Sequence, residues 1–211
     1  MPDFSFAARC AGLAVCLLVA GCYTIDQKYG ASVGNMYPDQ ITIAEILPAN
    51  APSINQHYRR LPGGGGQERD EHLGIDITAA KGTPVLAAAA GRVVLSLREP
   101  MYGNTVIIDH PPGADGTVMR TLYKHLNSRS VRAGDTVARG QPIGGLGRSG
   151  LLASGILHLH FELRKRNARG RYDAVDPGGW WTGGRGRVTC FDATLDWPDS
   201  PFRITYPVAC R

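Results

Sequence analysis

Two histidines stand two residues apart in the segment His158-Leu159-His160-Phe161-Glu162-Leu163-Arg164. Polar and apolar residues alternate along it, which is the period of a half-buried β-strand. On such a strand His158, His160 and Glu162 share one face, and Leu159, Phe161 and Leu163 turn to the core. Two imidazoles displayed together from a rigid element suit a metal ion, or a metal ion and its catalytic base. An amphipathic strand with two half-exposed histidines accounts for the pattern equally well, so residues elsewhere must decide. Glu162 is either a hydrogen-bond partner for a histidine N–H or an exposed carboxylate.

A second group is His72-Leu73-Gly74-Ile75-Asp76-Ile77. A spacing of four puts His72 and Asp76 on one face of a helix or of a strand. Gly74, Ile75 and Ile77 favour the strand, with the two isoleucines facing the core. His-x-x-x-Asp alone is common by chance; followed by Lys81-Gly82-Thr83-Pro84-Val85 and Ala90-Gly91 it is more specific. A third group is Leu122-Tyr123-Lys124-His125-Leu126, where His125 ends an apolar strand. By itself it reads as a partly buried structural histidine. The loop Gly144-Gly145-Leu146-Gly147-Arg148-Ser149-Gly150 allows close backbone approach. It lacks the Gly-Lys-Ser/Thr ending of a phosphate loop, and no helical segment follows.

The elements that must position these residues are short. A chain of 211 residues is about one domain, long enough to bury a core without metals or disulfides. With 27 Gly and 14 Pro, many turns between strands fit better than long helices. Strand-like runs cover Gly74 to Ile77, Pro84 to Ala88, Gly91 to Leu97, Thr105 to Asp109 and Thr117 to Tyr123. Thr136 to Val137, Pro142 to Gly144 and Leu157 to Leu163 follow. The pattern is all-β, a sandwich or barrel, with no coiled coil and no strong internal repeat. The net charge is +5, but no basic run is long enough for a nucleic-acid arm. His57 and His110 match no motif and are expected in loops or on the surface. Trp180, Trp181 and Trp197 are expected to pack against the domain.

The N-terminus carries one cation, Arg9, ahead of an apolar stretch from Ala11 to Ala20 that is too short to span a bilayer. It ends Leu18-Val19-Ala20-Gly21-Cys22, which resembles the lipobox of bacterial lipoproteins. That likeness implies a signal peptide over 1–21, cleavage before Cys22 and lipidation of its thiol. Asp3 departs from the usual basic start. An ordinary secretory signal and a buried apolar helix are the alternatives. Residues 22–56 read as a tether or a pro-segment over the site, with Gln40 to Leu47 a short helix or strand. The domain is expected over 57–179 and an extension over 180–211. Cys10 and Cys16 leave with the signal, so Cys190 and Cys210 remain as an even pair. In an oxidising compartment they are expected to form a disulfide rather than two buried thiols.

The order His-x-x-x-Asp, Tyr-x-His-Leu, Gly-x-Gly-x-Ser-Gly, His-Leu-His-Phe-Glu resembles the lysostaphin/LytM-type zinc metallopeptidases. The likeness covers roughly residues 57–178, including the ending Val175-Asp176-Pro177. It implies a compact antiparallel β-domain with one zinc ion held by His72, Asp76 and His160. His125 and His158 are then the catalytic pair. Two imidazoles and a carboxylate leave a fourth tetrahedral position open for water, whose pKa zinc brings toward about 7. A histidine can take that proton and return it to the leaving amine. No His-Glu-x-x-His helix is present to supply a glutamate base. Two departures fall beside the site. Gly155-Ile156-Leu157 stands where the family commonly has Gly-Pro before the paired histidines, and the loop Leu151 to Ser154 is atypical. The implied activity is cleavage of peptide cross-links in bacterial cell-wall peptidoglycan, at a membrane held through lipidated Cys22. Tyr23 after Cys22 favours the periplasmic face of the outer membrane. The alternative is a family member that has lost catalysis and activates cell-wall amidases, in contact with other envelope proteins. Such members have substituted metal positions, whereas all five positions are filled here.

Overall fold

The computed structural model describes residues 43–59 and 71–211. The signal peptide, Cys22, most of the expected tether and the loop Leu61 to Gly66 lie outside them. Among the described residues there is no α-helix. Eleven strands follow one another as β1 Ser53–Gln56, β2 Ile75–Thr78, β3 Pro84–Leu86, β4 Gly91–Glu99 and β5 Gly103–Asp109. β6 is Met119–Leu126, β7 Ser128–Arg129, β8 Thr136–Val137, β9 Pro142–Gly145, β10 Leu159–Arg166 and β11 Tyr172–Val175.

All strand pairs are antiparallel and fall into two sheets. The larger runs β1-β2-β10-β6-β5-β4-β8, with β11 beside the far end of β10. The smaller runs β3-β9-β7. The alternation in β2 and β10 sends Ile75, Ile77, Leu159, Phe161 and Leu163 inward, each with no exposed surface. They join Val85 and Ile143 of the small sheet in one apolar cluster, so the sheets share a core. Polar alternates on β2 and β10 therefore all emerge on the opposite face.

Several expectations need correcting. The strand Ser53–Gln56 pairs with β2, so the sheet starts upstream of His57. Ile43 to Leu47 form neither helix nor strand; Ile46 makes one parallel bridge to Arg187. Neither His57 nor His110 is a surface residue. His57 is buried against Glu45. His110 donates from Nδ1 to the Ala90 carbonyl and accepts at Nε2 from Thr121 Oγ1, at 2.8 and 2.9 Å. An imidazole with both nitrogens satisfied can be buried at little cost.

The C-terminal extension folds onto the core. Trp181, Ile204 and Tyr206 are fully buried. Trp180 packs edge-on to Phe202, while Trp197 stacks obliquely near Phe191 within the extension itself. Cys190 and Cys210 are joined as a disulfide with their Cα atoms 6.0 Å apart. The extension also grips the upstream segment, since Ile46 N–H donates to Gly186 O at 2.7 Å and Val188 N–H to Ile46 O at 3.1 Å.

Candidate metal and catalytic site

The site begins with strand register. His160 on β10 lies directly opposite Asp76 on β2, and their side chains share the outer face. β2 enters this pairing closely because residue 74 has no side chain: a Cβ there would lie 2.3 Å from the Phe161 carbonyl oxygen. His72 is not on the continuous strand that the spacing suggests. It lies beyond the bend at Gly74, in a two-bond bridge with Arg59. That bridge returns its ring to Asp76.

His72 Nε2, Asp76 Oδ1 and His160 Nδ1 then converge. His72 is 3.1 Å from Asp76 and 3.2 Å from His160, and His160 is 2.8 Å from Asp76. Among the described residues these three form a group of donors close enough to hold an ion. Ligands about 2.0–2.1 Å from zinc at tetrahedral angles stand roughly 3.3 Å apart, so the donor set fits that ion in type and spacing. Without an ion, protons and charges must offset the crowding. Burial alone would lower the His160 pKa, but Asp76 and Glu162 outweigh it and raise it to about 9. Burial alone would raise Asp76, yet His72 and His160 hold it well below the ordinary carboxylate range.

Each histidine of the site is tied from behind. His72 Nδ1 donates to the His57 carbonyl at 2.9 Å. His160 Nε2 donates to Glu162 Oε1 at 3.1 Å. His125 Nδ1 donates to the Ser149 carbonyl at 2.9 Å, and His158 Nδ1 to the Ile156 carbonyl at 3.1 Å. A carbonyl or carboxylate oxygen only accepts, so each of these ring nitrogens carries a proton.

His125 and His158 sit beside the three donors, their ring centroids 4.8 Å apart. His158 bridges Gly147 immediately before β10, and His125 lies at the end of β6 with φ of 64°. A left-handed backbone at a non-glycine residue is uncommon and marks a position fixed by its surroundings. His125 N–H donates to Tyr102 O, and its own carbonyl accepts from Ser149 N–H. Burial lowers the His125 pKa from 6.5 to about 4, so the ring is neutral near pH 7.

The partners of Glu162 carry no motif signal. Its carboxylate is 2% exposed and pairs with Lys124 Nζ, itself buried. Arg164 Nε donates to it at 2.7 Å, and Lys124 also lies 3.8 Å above the Tyr102 ring. Lys124 sits directly opposite His160 across β6 and β10. The glutamate is thus a partner of His160, not an exposed carboxylate. Three surrounding cations outweigh burial and hold its pKa far below the usual value.

All five residues line one cleft of about 520 Å³. Its lining includes the apolar or aromatic Tyr102, Leu152 and Ile156 and the charged Glu71, Lys124 and Arg164. The unusual loop expected at Leu151 to Ser154 forms a short 3-10 turn on the rim, with Leu151 and Ile156 more than half exposed.

Comparison with known proteins gives the class. The pattern of peptidase family M23 matches residues 70–177, and the chain belongs to that family. The peptidoglycan DD-endopeptidase ShyB of Vibrio cholerae is 32% identical over 126 residues, covering 56% of this chain and 28% of that protein. The murein hydrolase activator EnvC of Escherichia coli is 32% identical over 133 residues, covering 63% of this chain and 28% of that protein. The chain therefore spans little more than a quarter of either relative. The structure of lysostaphin, an antimicrobial peptidase from Staphylococcus simulans, matches with a TM-score of 0.53 at 28% identity. That match covers 71% of this chain and 57% of lysostaphin.

Proposed function

We propose that this protein is a zinc-dependent endopeptidase that cuts peptide cross-links of bacterial peptidoglycan. The observation that carries the reading is the convergence of His72, Asp76 and His160 beside two further histidines. His72, Asp76 and His160 would hold zinc, which when bound polarises the scissile carbonyl and acidifies the attacking water. The chain's own residues do the rest. His158, held by the Ile156 carbonyl, accepts the water's proton at Nε2 and returns it to the leaving amine. His125, neutral and fixed by Ser149, orients the water through its free Nε2. Relatives named peptidoglycan DD-endopeptidase support the substrate class.

The EnvC likeness supports a second reading, an amidase activator without hydrolysis. Complete donor and catalytic positions favour the enzyme. Zinc analysis, paired with digestion of cross-linked muropeptides with and without chelator, separates them. One bound zinc and chelator-sensitive cleavage support the enzyme; a protein that refuses zinc and leaves the cross-links intact supports the activator. We further propose that Cys22 carries the lipid that holds the protein at the periplasmic face of the outer membrane. Unchanged membrane retention of a Cys22→Ser variant would exclude that.

A further inference from the structure

The backing of His72 does not come from the family-matched stretch. It comes from upstream, from residues that sequence reading assigned to a tether and a loop. His72 Nδ1 donates to the carbonyl of His57. The His57 ring is itself buried and paired through Nδ1 with Glu45 Oε2. The Glu45 side chain has no exposed surface. Its backbone neighbours are clamped by the C-terminal extension, through the bonds of Ile46 to Gly186 and Val188. Downstream, Tyr58 Oη donates to the Ala174 carbonyl at 3.2 Å, and Arg59 closes the bridge to His72. Residues 57–59 are therefore fixed at three successive points. These contacts fix the chain on either side of the peptide after His57 and so keep its carbonyl close to His72.

We propose that Glu45 is a positioning residue for the metal site: by fixing the His57 ring it holds the His57 carbonyl against His72 Nδ1. That bond sets the His72 tautomer and aims Nε2 at the zinc. The proposal rests on the zinc reading above and adds a residue outside positions 70–177 to the site. Outer partners of this kind typically change metal affinity by about 10–100-fold when removed. Two side chains share the support of the ligand histidines, Glu162 for His160 and Glu45, through the His57 peptide, for His72.

The test is zinc affinity by chelator competition on the full mature chain, with the visible spectrum of the cobalt-substituted protein as a second readout. Glu45→Asp keeps the charge but is one methylene too short to reach His57. It is expected to weaken zinc at least about tenfold and to alter the cobalt bands. Glu45→Gln retains an acceptor for His57 Nδ1–H and is expected to stay within about threefold of wild type. Ile54→Val, a core truncation in β1, controls for lowered stability and should leave affinity and spectrum unchanged. Wild-type affinity and spectrum in Glu45→Asp would overturn the proposal, as would an equal loss in Ile54→Val. A wild-type protein that does not bind zinc overturns the zinc reading and this proposal with it.

Discussion

Removing the charge of Glu162 is expected to lower both stability and metal affinity, and the two losses can be separated. Glu162→Gln preserves volume but leaves Lys124 without its carboxylate. The Lys124 side chain is 7% exposed, so it cannot recover full hydration. Breaking a buried ion pair by deleting one partner costs about 3–5 kcal/mol. Arg164, with 29% of its side chain exposed, can turn to water and adds little. A loss of about 3 kcal/mol in urea unfolding of the zinc-free protein is therefore expected. Lys124→Met/Glu162→Gln removes the stranded cation and should recover most of that loss, because an apolar replacement of a buried pair is often neutral. Zinc affinity should not recover. In both variants His160 loses its anionic partner, and affinity should stay about 10–100-fold below wild type. Wild-type affinity in Glu162→Gln would refute the argument that Glu162 tunes His160. Equal instability of the single and double variants would refute the stranded-cation argument.

Three further outcomes follow from other parts of the fold. Burial lowers the His110 pKa from 6.5 to about 4, so between those values the unfolded chain binds a proton that the folded chain does not. Stability should fall on acidification through that window, by roughly 3 kcal/mol from this group, and His110→Gln should flatten the slope of unfolding free energy against pH by that amount. Gly74→Ala would drive a Cβ into the Phe161 carbonyl. It should cost about 1–3 kcal/mol in unfolding and weaken zinc binding by parting Asp76 from His160; unchanged zinc affinity would count against the register argument. Thiol titration of the denatured, unreduced mature protein should find Cys190 and Cys210 unreactive, and their joint replacement by serine should cost roughly 3 kcal/mol, checked by urea unfolding.

The five residues of the cleft were legible because alternation and motif order expose side-chain chemistry directly. His158, His160 and Asp76 emerge together because the period of a strand dictates it. The supports were less legible. Ser149, Ile156 and His57 act through backbone carbonyls, which any residue type supplies. Glu45 and His57 are twelve residues apart, and contacts remote in sequence bring them into the core: Ile46 with Gly186 and Val188, Tyr58 with Ala174, and Arg59 with His72. The strand Ser53–Gln56 offers no clean alternation, so its pairing with β2 could not be read. His110 lies in a loop, as expected, but its burial could not be read, because nothing local reveals the Thr121 hydroxyl across the sheet.

The central claim is hydrolysis at the site that His72, Asp76 and His160 build. It is tested most directly by mass analysis of cross-linked muropeptides after incubation with zinc-loaded wild type and with His160→Ala. Wild type alone is expected to convert dimers to monomers, with one water added per cross-link, and chelator to abolish the conversion. Intact dimers with fully zinc-loaded wild type, or equal cleavage by His160→Ala, would contradict it.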